Sequence, residues 1–149
     1  MSYLDIATSN PIINVTVISW FTAQIIKVIL VIVTERRLDL GRFFGAGGMP
    51  SSHSSTVCTL SVCIARVMGF TSPEFAIAFV FSVIIMYDAA GVRRAAGQQA
   101  SVLNKMLDNW HTADNEFTEI ELKELLGHTP LQVAVGAVIG ILIGYFAVI

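Results

Sequence analysis

Four long apolar stretches alternate with polar connectors along the chain. The first, Ile12 to Val33, is mostly aliphatic and β-branched and is long enough to cross a bilayer as a helix. Gln24 and Lys27 interrupt it. They lie three apart and so share a face, which Trp20 and Thr34 extend at helical spacing. A lysine two turns from the end of a span either snorkels to the interface or faces a polar interior. Ionisable groups inside membranes usually face the bundle, so Lys27 is expected to line a cavity. The second stretch, Ser52 to Phe70, carries a polar stripe of Ser52, Thr56, Thr59, Cys63 and Arg66 on an otherwise apolar rod. Thr71-Ser72-Pro73-Glu74 has the chemistry of a helix start: a serine cap, proline at the first position, an acid on the positive dipole end. Phe75 to Met86 is strongly apolar. Nothing after it forces a stop, so this third helix is expected to run on through Tyr87–Ala100, with Tyr87, Gly91, Arg94 and Gln98 on one face. The fourth stretch, Leu131 to Ile149, repeats glycine at 136, 140 and 144, a seam that lets a neighbouring backbone approach closely. Gln132 and then His128 continue that seam.

The pattern gives an all-α, polytopic membrane helix bundle with about four transmembrane helices, and residues 1–149 as a single integral membrane domain. Between the third and fourth spans, Thr118 and Glu121 have capping-box spacing ahead of Leu122, Leu125 and Leu126, which predicts a short amphipathic helix. His111 reads as a loop histidine. Composition agrees with a membrane chain: 54% of the 149 residues are hydrophobic and 13% charged, against about a quarter charged in soluble domains. A net charge of −2 and the absence of a basic run interleaved with aromatics argue against nucleic acid as a partner. The N-terminus lacks a positive n-region, which argues against a cleaved signal peptide. Cys58 and Cys63, five apart on one helix, point in different directions and read as small core residues.

Asp88 follows about 13 apolar residues and should lie below the headgroups, where an unpaired carboxylate is costly. It calls for a charge partner on another helix, with Lys27 the first candidate and an arginine the second. Gln24 belongs to the same polar set. With four spans, Lys27, the start of the second helix, the end of the third and the start of the fourth all fall at one membrane face. That face collects His53, His128, Lys27, Arg93, Arg94 and the serines of Gly47-Gly48-Met49-Pro50-Ser51-Ser52-His53-Ser54-Ser55. Ser51 or Ser52 can cap the helix that carries His53, and a capped helix N-terminus suits an anion. Two histidines and cations around an anion suggest phosphoryl transfer, one ring as nucleophile and the other protonating the leaving oxygen. The scheme needs no metal and no cofactor. The cations of the two connectors place the pocket on the cytoplasmic side of the cell membrane by the positive-inside rule.

Three blocks carry a resemblance: Gly47–Ser54, Tyr87-Asp88-Ala89-Ala90-Gly91-Val92-Arg93-Arg94, and Leu126-Gly127-His128-Thr129-Pro130-Leu131-Gln132-Val133. Over nearly the whole chain the sequence resembles the divergent PAP2 membrane proteins, relatives of acid phosphatases and vanadium-dependent haloperoxidases. The resemblance implies that His53 is the general acid, Ser51 and Ser52 belong to the phosphate site and His128 is the nucleophile. Gln132 stands where the wider superfamily has the aspartate that orients the nucleophile, and a neutral amide stabilises an imidazolium less. Lys27 stands for the lysine of the first superfamily motif, without its Arg-Pro. Arg93 or Arg94 would supply the arginine of the third motif from the third helix.

The function this implies is a membrane phosphatase acting on a lipid phosphate, an isoprenyl or phospholipid phosphomonoester or diphosphate. A second reading is a non-catalytic binder or carrier of phosphorylated lipids or anions. A third is a structural subunit in which replacing Lys27 or His53 leaves anion binding unchanged. A homo-oligomer through the Gly136/Gly140/Gly144 face would cover apolar sides of so small a bundle.

Overall fold

A computed structural model of the chain describes residues 9–36, 48–110 and 127–149. Gly47, the predicted amphipathic helix with Thr118 and Glu121, His111 and the connector arginines Arg37 and Arg42 lie outside the described residues. Five helices, and no strands, occur among the described residues: α1 (Pro11–Glu35), α2 (Ser52–Met68), α3 (Pro73–Ala90), α4 (Val92–Trp110) and α5 (Pro130–Phe146).

Each start has a chemical cause. The Asn10 side chain accepts from the Ile12 and Ile13 N–H groups at 3.0 and 3.2 Å, with Pro11 opening α1. Ser51 caps α2 and Ser72 caps α3, where Pro73 and Glu74 take the predicted places. Thr129 and Gln132 form a reciprocal capping box on α5, with Pro130 in its first turn. α2 ends at Gly69, whose φ of 88° closes the helix. Pro11–Thr34 and Pro73–Met106 are long and apolar enough to cross a membrane, and Pro130–Phe146 is a shorter apolar helix. α1 is about 37 Å long, more than the ~30 Å of a hydrocarbon core.

The third apolar run does not continue as one regular helix. It breaks at Gly91, where φ is −106° and ψ −79°. The Ala89 carbonyl, which an uninterrupted helix would offer to the N–H of residue 93, instead accepts the His128 N–H at 3.1 Å. Hydrogen bonds still bridge the break, from Gly91 N–H to Tyr87 O and from Ala95 N–H to Gly91 O. Tyr87, Arg94 and Gln98 are exposed, as residues sharing an outward face would be.

α2, the most polar span, is the hub, packed against α5, α1 and α3. Its interior contacts are small and hydroxylated. Ser19 on α1 meets Ser55 at 2.7 Å and Thr59 at 2.7 Å, and Thr59 also donates to the Gly140 carbonyl. Ser61 meets Ser82 of α3 at 2.7 Å. The fully buried hydrophobic residues are small, such as Ala23, Cys63 and Ala89, while Ile18, Ile77 and Phe146 are 57%, 71% and 75% exposed. Small and polar inside, large and apolar outside is the packing expected where lipid is the solvent. Both cysteines are buried and unbonded.

The glycine seam packs within the chain. A Cβ on Gly136 would overlap the Ser51 carbonyl, one on Gly140 the Ser55 carbonyl, and one on Gly144 would press on Val62 and Thr59. The three glycines therefore let α5 lie backbone-to-backbone on α2. The face suggested for a homo-oligomer is already covered by α2, so a second copy would need another surface.

Candidate functional site

The site forms where three chain segments are tied together by main-chain contacts. The Ser51 N–H donates to the Gln132 carbonyl at 3.1 Å, which fixes the start of α2 on the first turn of α5. Gly136 makes room for that approach. Gly127 packs so closely on the Arg93–Arg94 peptide that a Cβ would overlap the backbone there. The next residue, His128, is anchored by its N–H on Ala89. The two histidines are thus carried on segments whose backbones are mutually fixed.

Their rings meet. The centroids of His53 and His128 are 6.0 Å apart at an interplanar angle of 67°. His128 is 3% exposed, while His53 is half-buried. The Gln132 side-chain oxygen lies 3.4 Å from His128 Nδ1 and accepts from the Thr129 N–H at 3.0 Å. That oxygen can only accept, so it favours a proton on Nδ1. Burial pushes the His128 pKa below its ordinary 6.5. The Gln132 contact opposes the shift, His53 and Lys27 add to it, and the Gly48 carbonyl opposes it. The ring is therefore held largely neutral at pH 7, the form a nucleophile requires. Among the described residues His53 Nδ1 is buried without a hydrogen-bond partner.

Lys27 is 2% exposed and lies inside the bundle, as its stripe suggested. Its side chain runs along Gly48, where a Cβ would come within 3.4 Å of the lysine Cγ and Cδ. Lys27 is close enough to both histidines for its charge to act on each. Gln24, 3% exposed, lies a turn earlier on α1. Arg93 also acts on His53.

Asp88 departs from expectation. Its ion pair is with Arg93, Nε to Oδ2 at 2.7 Å, rather than with the first candidate, Lys27. The break at Gly91 explains this, since it turns residue 93 back toward the carboxylate five positions earlier. Both groups keep solvent contact, with side chains 53% and 39% exposed. Both arginines are exposed and both offer backbone to Gly127, and the Arg93 charge also acts on His53.

The serines hold the start of α2. Ser51 is fully buried, and its hydroxyl accepts from the Ser54 N–H at 3.3 Å and the Ser54 hydroxyl at 3.0 Å. Ser52 is 4% exposed, and its carbonyl takes the Thr56 hydroxyl. No group of three His, Cys, Asp or Glu side chains fit to hold a metal occurs among the described residues. Sequence reasoning missed Gly127 and Ser19. Ser19 had a signal, being eight before Lys27 with Ala23 midway, small residues on the buried face. Gly127 had only its place beside His128.

Against known proteins, the model of the divergent PAP2 family matches residues 8–143. A relative from Bacillus subtilis (strain 168), described as the uncharacterized membrane protein YuiD, is 39% identical over 150 residues, covering 94% of each chain. No solved structure matches. The family match includes both histidines, and this chain belongs to the divergent PAP2 family of membrane proteins.

Proposed function

We propose that the protein is a phosphatase of lipid phosphates that works through His128. In this reading His128 Nε2 attacks phosphorus and the P–O bond to the lipid breaks. His53 gives its proton to the departing alkoxide, leaving a phosphohistidine and a lipid alcohol. Water then attacks the phosphohistidine while His53 takes the water proton back, and inorganic phosphate leaves. Lys27 and Arg93 would stabilise the charge that builds on the non-bridging oxygens. The first-turn N–H groups of α2 add a favourable dipole.

The observation that carries this reading is the 6.0 Å approach of two imidazoles beside Lys27 and Arg93. Family membership supports it, and so does the apolar exterior, which keeps the site within reach of lipid. Protein purified in detergent should release phosphate from an isoprenyl or diacylglycerol phosphate. His128→Ala should lower that rate at least about 10³-fold, and an acid-labile phosphohistidine should be trapped in the native protein only. The second reading, a binder or carrier without turnover, is favoured by Gln132, whose neutral oxygen is 3.4 Å from the ring. It predicts saturable lipid-phosphate binding with no phosphate released and no phosphohistidine.

A further inference from the structure

Among the described residues α2 has neighbours on three sides. Its Ser51 and Ser55 backbone lies on α5. Its Ser55 and Thr59 hydroxyls reach Ser19 of α1, and Ser61 reaches Ser82 of α3. Among the described residues no Cα of α1 comes within 8 Å of a Cα of α3. Among the described residues nothing covers the fourth side of α2, between those two helices. Helical spacing assigns His53, Leu60 and Ile64 to that side, with Thr56 at its edge. All four are half-buried, whereas Val57, Thr59, Ser61 and Cys63 on the covered sides are buried.

The chemistry changes along this stripe. At one end stands His53, with Lys27 and Arg93 near enough for their charges to act on it. Thr56 follows, and then only Leu60 and Ile64. His53 to Ile64 covers about 17 Å of helix, close to half of the ~30 Å hydrocarbon core and so to the depth of one leaflet. Such a gradient suits an amphiphile with an anionic head. A second copy of the chain suits it less, since the outer faces of α1 and α3 are apolar along their length, from Ile18 to Ile32 and from Ile77 to Ile84.

We propose that the crevice between α1 and α3, floored by Leu60 and Ile64, seats the hydrocarbon chain of a lipid phosphate whose head lies at His53 and His128. This rests on the phosphatase reading and deepens it. Substrate enters sideways from one leaflet, and chain length contributes to recognition. Leu60 and Ile64 touch the tail and take no part in the chemistry.

The test compares hexadecyl phosphate with butyl phosphate. Leu60→Trp and Ile64→Trp should each lower kcat/KM for the hexadecyl ester about tenfold or more, the loss of roughly 1.4 kcal/mol of binding. Turnover of butyl phosphate should stay at the native level, which also certifies the fold. Equal effects on both esters, or none on either, would overturn the crevice. A hexadecyl phosphate with a diazirine near its chain end should label α2 around Leu60 and Ile64. Excess hexadecyl phosphate should block that labelling and hexadecanol should not. Absent labelling, or equal blocking by the alcohol, overturns the crevice even in a protein that hydrolyses butyl phosphate. Efficient copy-to-copy disulfide formation by Leu60→Cys would give the crevice to a second chain and likewise overturn it. If the native protein turns over neither ester, the phosphatase reading falls, and the labelling still decides the crevice.

Discussion

His128 gathers most of the local chemistry into one ring. Its N–H is tied to Ala89, its Nδ1 faces Gln132, and burial holds it neutral. Because the pKa lies below 6.5, the ring keeps its lone pair as pH falls through 6.5 and loses it only at lower pH. An NMR titration of imidazole-labelled protein should therefore give His128 a midpoint below 6.5, and the acid limb of kcat/KM should fall there too. Replacing Gln132 by Glu keeps the length and the capping box but puts an anion on Nδ1. That change should raise the midpoint by about 1–3 units, read in the same titration, and should speed phosphohistidine formation. Much at this scale was legible in the sequence. His53 and His128 stood out by motif, and Lys27 by its cost inside a span. For Asp88 an arginine was legible only as the second candidate, because the pair with Arg93 depends on a backbone break at Gly91 that propensity alone does not demand. Ser51 was legible as a helix cap, while its full burial was not, because that needs the packed bundle.

Among the elements, α2 and α5 make the decisive pair. Three glycines at four-residue spacing place the α5 backbone on the carbonyls of α2, and Thr59 bridges to Gly140 at 2.9 Å. Gly140→Ala puts a methyl group into the Ser55 carbonyl, which backbone cannot yield. It should destabilise the protein by about 1–3 kcal/mol or more, measured as a lowered unfolding midpoint in detergent. Anion binding should weaken with it, since α5 sets the position of His128. The seam could be read from the sequence, but its partner could not. A small-xxx-small stripe does not say whether the approaching backbone belongs to the same chain or to another copy. The polar stripe on α2 was equally plain, while its division between Ser19 on one side and Ser82 on the other needed the packed bundle.

The whole molecule is a polar hub wrapped by apolar helices, with its candidate chemistry at one end. The opposite end is closed by Arg66, whose guanidinium donates to the Gly144 and Ala147 carbonyls at 2.8 Å each. Arg66 keeps its charge at that end, and the positive-inside rule predicts that the more numerous connector cations face the cytoplasm. Lys105→Cys should thus react with a membrane-impermeant maleimide in inverted vesicles and not in intact cells. The native cysteines add little background, being 7% and 0% exposed. The hub also has a consequence for biogenesis. α2 is a poor candidate for stable insertion by itself, because Ser55, Thr59 and Ser61 find their partners on neighbouring helices. The neighbour it leans on most closely, α5, leaves the ribosome after the other four helices. A nascent chain halted before Gly127 would have the α2 hydroxyls matched to α1 and α3, but the Ser51 and Ser55 backbone uncovered and its first histidine without the second. Quality-control proteases that sense exposed polar faces in the bilayer would meet their target in that interval, so completion of α5 is the step at which the newly made bundle becomes durable.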